Sequence, residues 1–164
     1  MKIVNDQAHA EYQRLSEQEK ELVFTSFSRA DALDLGLLML ERAKSYPDPV
    51  AVEITINGLV VFRHFSDGSL LDSELWLQRK RNTVDLMAMS SLRFMNWLDR
   101  SGKELTDRKL DPADYAAGGG GFPIVLAGTG MIGSVCISGL PNHIDDHQIV
   151  VDALTALKAR KAGR

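Results

Sequence analysis

The sequence predicts an α+β fold on a five-stranded, mainly antiparallel sheet, and three observations lead there. Asn57-Gly58 between two β-rich runs marks one hairpin, and Gly128-Thr129-Gly130 between two apolar runs marks a second. The stretches separating them carry apolar residues at helical spacing. Hairpins set between helices give antiparallel neighbours, whereas a parallel sheet needs strand and helix in strict alternation. A chain of 164 residues is expected to form a single domain over 1–164, with an N-terminal helix at about 9–20 and a core over about 22–162. A chain of this length can bury roughly 70% of its unfolded surface.

The elements follow in order. Glu11 to Glu21 is polar and helix-compatible, and Leu22-Val23-Phe24 reads as a short strand, the fifth of the sheet. Ser28-Arg29-Ala30-Asp31 resembles a capping box with Asp in place of Glu, and Ala32, Leu35, Leu38, Met39 and Ala43 continue a helix from Arg29 to about Ser45, where Pro47 and Pro49 stop it. Val50–Ile56 and Leu59–Ser66 flank Asn57-Gly58. A two-residue turn then sets Ile54 opposite Val61, Val52 opposite Arg63 and Ala51 opposite His64, making Glu53 and His64 diagonal neighbours. Ser73 to Arg100 has no Pro or Gly and predicts one long helix. A polar connector over Lys103–Ala117, in which Asp111-Pro112 starts one helical turn, leads to strands at Phe122–Leu126 and Met131–Ser138. Asp145 or Asp146 is expected to cap a last helix reaching about Ala162.

Composition narrows the function classes. A net charge of -3 gives no electrostatic basis for binding nucleic acid, and no apolar run approaches the length of a membrane span, so neither is an expected partner. The lone Cys136 excludes an intramolecular disulfide, and the N-terminus lacks a signal-like apolar segment; together these predict a cytoplasmic protein.

No motif declares a reaction. Gly118 to Gly121 would let the backbone approach a ligand closely or would simply form a flexible strand entry; the run lacks the Lys-Ser/Thr of a nucleotide loop. His143-Ile144-Asp145-Asp146-His147 offers His143, Asp146 and His147 as weak metal-ligand candidates, against the simpler role of helix capping. Trp76, Lys80, Thr83 and Met87 share one face of the long helix, a mixture suited to a flat anionic ligand or equally to a subunit contact, with Arg79 beside them. Glu53 and His64 form a candidate acid–base pair, and no serine sits in a Gly-x-Ser-x-Gly elbow. Catalytic residues are therefore not assigned.

Three motifs carry a resemblance. Trp76-Leu77-Gln78-Arg79-Lys80-Arg81-Asn82-Thr83-Val84, Gly119-Gly120-Gly121-Phe122-Pro123-Ile124, and Ile132 to Pro141 with Asp146-His147 resemble uncharacterised protein family 0303, grouped with the GlcG/HbpS-like haem-degrading-domain proteins, over about Phe24 to Leu157. The resemblance implies a profilin-like α/β/α sandwich, a symmetric homo-oligomer, and binding or slow degradation of haem or a related tetrapyrrole as ligand. In relatives a Lys-Ala-x-Thr-Ala stretch aligns with Lys80 to Val84, which makes Lys80 and Thr83 ligand-binding candidates together with Trp76, Arg79, Gly119, Gly120, Gly121, Asp146 and His147. Arg81 and Val84 replace small alanines there and would narrow a pocket along the helix. The alternative role is a non-catalytic homo-oligomeric scaffold or accessory protein.

Overall fold

A computed structural model describes residues 1–164. It contains five α-helices, α1 (Asp6–Glu21), α2 (Arg29–Ala43), α3 (Leu71–Met87), α4 (Ser91–Asp99) and α5 (His143–Ala162), and four strands, β1 (Ala51–Ile56), β2 (Leu59–Phe65), β3 (Gly121–Leu126) and β4 (Gly130–Ser138). The strands form one sheet in the order β2-β1-β4-β3 with every pair antiparallel. The architecture is α+β, and no helix is long and apolar enough to cross a membrane.

Alternation along the strands sorts the two faces. Val52 and Ile54 of β1, Phe122 and Ile124 of β3, and Val135 and Ile137 of β4 join Leu35 and Met39 of α2 and Val150, Leu154 and Leu157 of α5 in the main core. Each such side chain stabilises the fold by about 1.5–3 kcal/mol through burial. The opposite face lies beneath α3, where Leu77 meets Ala51 and Cys136. That face is largely polar: Thr55 and Ser134 share a hydroxyl hydrogen bond of 3.0 Å across β1 and β4. Glu53, 2% exposed, is held between the guanidiniums of Arg63 and Arg81.

Four expectations need correction. The sheet has four strands, not five: Phe24 makes one parallel bridge to Leu126, with Phe24 N donating to Val125 O at 2.9 Å and Ala127 N donating to Phe24 O at 2.8 Å. The chain must reach the Ser28 cap within four residues, and it uses Phe24 and Phe27 as an edge-to-face pair 5.3 Å apart in the core instead of extending the ladder.

The hairpin register is also shifted. A bulge between Ile54 and Thr55 of β1 lets Thr55 pair with Val60 and Ile54 with Phe62, leaving Val61 as the extra residue. Glu53 therefore faces Arg63 and binds it, while His64 faces Val52, so the Glu53–His64 acid–base pair does not exist.

The long helix is two helices. Ala88 takes a left-handed conformation at φ 52 and ends α3, and the Ser90 hydroxyl accepts from Arg93 N to start α4. The Glu19 carboxylate of α1 accepts from Ser90 N at 3.1 Å and from its hydroxyl at 3.2 Å, fixing the break from outside.

Finally, Asn142, not Asp145 or Asp146, caps α5, its side chain accepting from Ile144 N at 3.0 Å. The capping box at Ser28 and Asp31 forms as expected.

Candidate functional site: a pocket where two helices meet the glycine turn

A pocket of about 650 Å³ opens between the first half of α3, the Tyr115–Gly119 segment and the Ser138–Pro141 turn that leads into α5. Trp76, Lys80, Gly118, Gly119, His143 and Asp146 line it, so residues chosen from three separate stretches of sequence converge. Arg79, Thr83, Gly120, Gly121 and His147 do not line it.

Lys80 and Asp146 form its charged floor. Lys80 Nζ donates to Ile137 O at 2.8 Å and lies 3.4 Å from Asp146 Oδ2, with only 7% and 3% of the two side chains exposed. Asp146 Oδ1 accepts from Leu140 N at 3.4 Å, which ties the turn before α5 to the same carboxylate. Burial lowers the Lys80 amine below its ordinary range and pushes Asp146 up to about 6, while the charge of each partner favours the charged form of the other.

The glycines let parts of the protein, rather than a guest, approach the backbone. A Cβ on Gly119 would sit 2.1 Å from His143 O, and one on Gly121 would sit 2.8 Å from Val84 Cγ2. Gly119 N donates to His143 Nδ1 at 2.8 Å and Gly121 N to Ser91 Oγ at 2.9 Å, locking the turn to α5 and α4. Burial and the nearby Lys80 charge lower the His143 imidazole, which stays neutral with its proton on Nε2 because Nδ1 accepts.

The remaining candidates have structural partners. The Thr83 hydroxyl donates to Ala116 O at 2.8 Å and accepts from Ala116 N at 3.1 Å, pinning the pocket wall. Arg79 lies over the Trp76 ring at 4.6 Å and donates to Ala113 O at 3.0 Å. Arg81 turns away to Glu53, and Val84 is fully buried against Gly121, so neither narrows this pocket. His143, Asp146 and His147 diverge to Gly119, Lys80 and Gln18, and no group of three or more His, Cys, Asp or Glu side chains is placed to hold a metal ion.

His147 supplies a pH-dependent element behind the pocket. It is 2% exposed, Nε2 meets Gln18 Oε1 at 2.8 Å, and Nδ1 has no partner. Burial lowers it from 6.5 to about 4, so its contribution to stability is full above pH 6.5 and is lost as pH falls through about 4. The size is on the order of 3 kcal/mol. Glu19, raised to about 7, and Asp146, raised to about 6, act in the opposite sense, losing stability as pH rises. Urea unfolding of wild type and His147→Gln across pH 4 to 7 isolates the imidazole: the gap between the two should narrow toward pH 4, and a constant gap would refute the assignment.

Asp72, Ser73, Tyr115 and Ser138 also line the pocket and were missed from sequence. Tyr115 lies in the stretch read as a connector. The Asp111 turn, in which Tyr115 N donates to Asp111 O at 3.0 Å, was the available signal for an ordered wall.

A sequence model of the family described as "Haem degrading protein HbpS-like" matches residues 27–155. A UPF0303 protein of Rhizobium etli is 42% identical over 147 residues, covering 90% of this chain and 89% of that protein. Among solved structures, the Ybr137w protein superposes with a TM-score of 0.81 at 29% identity, covering 90% of this chain and 87% of that one. PduOC, solved as a complex with heme, superposes with a TM-score of 0.67 at 25% identity, covering 80% and 94%.

Proposed function

The chain belongs to the UPF0303 family of HbpS-like domain proteins, and on that premise we propose that it binds a small organic ligand in the pocket floored by Lys80 and Asp146. The supporting observation is convergence: a cavity within the size range of ligand sites, lined by Trp76, Tyr115, Leu140 and Pro141 as apolar surface and by a few polar groups that orient a guest. Helices on both faces of the sheet support the profilin-like sandwich that the family implies.

Haem is the ligand that the family description suggests, and the lining does not fit it as a resident group. His143 Nδ1 accepts from Gly119, which leaves Nε2 protonated, so the imidazole offers no lone pair to iron. Lys80 is already committed to Asp146, and Asp72 adds a further carboxylate, leaving no net cation for the two acid groups of haem. The same charge balance disfavours a small anionic ligand. The pocket suits an uncharged, hydroxyl-bearing molecule, with the hydroxyls of Ser73, Tyr115 and Ser138 as hydrogen-bond partners.

A thermal-shift comparison of neutral hydroxylated molecules, small carboxylates and haemin tests this reading. A neutral ligand at about 100 times its Kd adds about 2.7 kcal/mol, a rise of roughly 5–10 °C. That rise should shrink in Tyr115→Phe and Ser138→Ala. Stabilisation by carboxylates alone, or a stoichiometric Soret shift with haemin, would overturn it.

A second reading, homo-oligomeric assembly, is favoured by one observation. Leu70, Leu71, Leu75 and Trp76, around the start of α3, are 71%, 75%, 46% and 41% exposed, and Leu70 and Trp76 line the pocket. A second copy of the chain covering this patch would shield the pocket mouth. Light scattering at micromolar concentration should report an oligomer that Leu71→Glu dissociates; a wild-type monomer would eliminate the reading.

A further inference from the structure

Lys80 is a buried amine at the wall of a cavity, and ligand binding alone assigns it no chemistry. The Nζ atom touches Ile137 O at 2.8 Å and Asp146 Oδ2 at 3.4 Å, so a carboxyl group stands within reach to take and return a proton. Gly120 lets the backbone pack closely against the amine and hold it in place: a Cβ there would lie 2.7 Å from Nζ. His143, on the same wall, is neutral and does not compete for the proton.

We infer that Lys80 captures small uncharged aldehydes or ketones as a Schiff base, with Asp146 as the proton-transfer partner. The inference rests on the pocket reading above and adds a covalent step to it.

The protons and electrons balance without a further reactant. Moving one proton from the ammonium to the carboxylate gives a neutral amine beside a neutral carboxyl group. The nitrogen lone pair forms a C–N bond to the carbonyl carbon, and the carbonyl oxygen takes the Asp146 proton. Asp146 then accepts a proton from nitrogen, giving a neutral carbinolamine. Returning that proton to the hydroxyl breaks the C–O bond and releases water, leaving a protonated imine opposite the Asp146 carboxylate. Neither partner is oxidised or reduced.

The charge of the site selects the substrate class. Asp72 and Asp146 outnumber Lys80 as charged groups at the pocket, so a 2-oxo acid would meet repulsion, whereas a hydroxyaldehyde or hydroxyketone presents neutral hydroxyls to Ser138 and Tyr115. Burial also distinguishes Lys80: it lowers the amine and so favours the neutral form that attacks a carbonyl.

The test uses the full chain, incubated at pH 6.5 with glycolaldehyde, dihydroxyacetone or pyruvate, each with and without cyanoborohydride, and mapped by peptide mass spectrometry. The expected result is a reductant-dependent adduct at Lys80 at least tenfold above that at any other lysine, strongest with the two neutral carbonyls. Lys80→Arg should abolish it, and Asp146→Asn should slow it at least tenfold. Adducts spread evenly over exposed lysines, or no adduct at Lys80 in the wild type, would overturn the inference, and that measurement does not depend on any variant folding. If Lys80 stays unmodified while neutral hydroxylated molecules still raise Tm, the covalent step fails and the pocket reading survives. If the thermal shift is absent too, both fall.

Discussion

Asp146→Ala is expected to lower the free energy of unfolding by about 3–5 kcal/mol, the cost typical of removing one member of a buried ion pair. The Asp146 side chain is 3% exposed and performs two tasks at once, holding the Lys80 amine and accepting from Leu140 N ahead of α5. Its loss leaves a buried cation with a single carbonyl partner, and frees the turn that shapes the pocket. The amine would respond by shedding its proton, so the deficit should grow as pH falls and Lys80 must carry charge without a counter-ion. A paired replacement, Lys80→Met with Asp146→Leu, should recover part of the loss because it leaves no buried charge unpaired, although the Leu140 amide loses its carboxylate acceptor. Urea unfolding of the single and double variants measures both effects. A loss under about 1 kcal/mol in Asp146→Ala would show that the pair is solvated and would weaken its role as a pocket floor.

Gly120→Ala is expected to cost on the order of 4 kcal/mol, from backbone strain of about 1–3 and overpacking of about 1–3. Gly120 sits at φ 128, a region that side-chain-bearing residues rarely enter, and an added Cβ would lie 2.4 Å from Ile137 O. That carbonyl is backbone of β4 and is also an acceptor for Lys80, so it cannot swing aside cheaply. The Gly120 carbonyl in turn accepts from Ile137 N at 2.9 Å, which closes the contact from the other side. The substitution should therefore both lower Tm and weaken any ligand that relies on Lys80. Gly118→Ala makes the control: its Cβ would meet His143 at an ordinary 3.7 Å, and it should be nearly neutral for stability. Equal behaviour of the two variants would contradict the close-approach explanation of the glycine run.

Local signals were legible wherever a short stretch of chain satisfies itself. The Ser28 capping box and the Asn57-Gly58 turn appear as read, because each depends on residues within three or four positions. The inward and outward alternation of β1 was equally legible, and Val52 and Ile54 do face the main core. The bulge that sets Glu53 against Arg63 was not legible, since nothing in a run of β-formers marks where one extra residue is absorbed. The break between α3 and α4 is similar in kind: Ser90-Ser91 is compatible with a helix interior until a carboxylate from α1 binds the Ser90 amide.

The candidate site divides along the same line. Lys80, Asp146 and Gly119 were singled out from residue type and family resemblance, and all three reach the pocket. Thr83 and His147 were singled out on the same grounds but serve the wall and the layer behind it, with Thr83 fully buried and His147 2% exposed. Asp146 was read as a ligand-binding candidate and also as a helix cap or weak metal ligand, and its pairing with Lys80, 66 positions away in the chain, has no local signal.

Sequence by itself determined the α+β class, the two hairpins, the core faces of the strands and the chemical inventory near the last helix, because these follow from turn propensity and periodicity over a few residues. Tertiary structure alone decided the strand count, the hairpin register and the pairing of Lys80 with Asp146. Each of those depends on which distant groups share one low-dielectric space, and there burial and unpaired charge outweigh the preferences of any local segment.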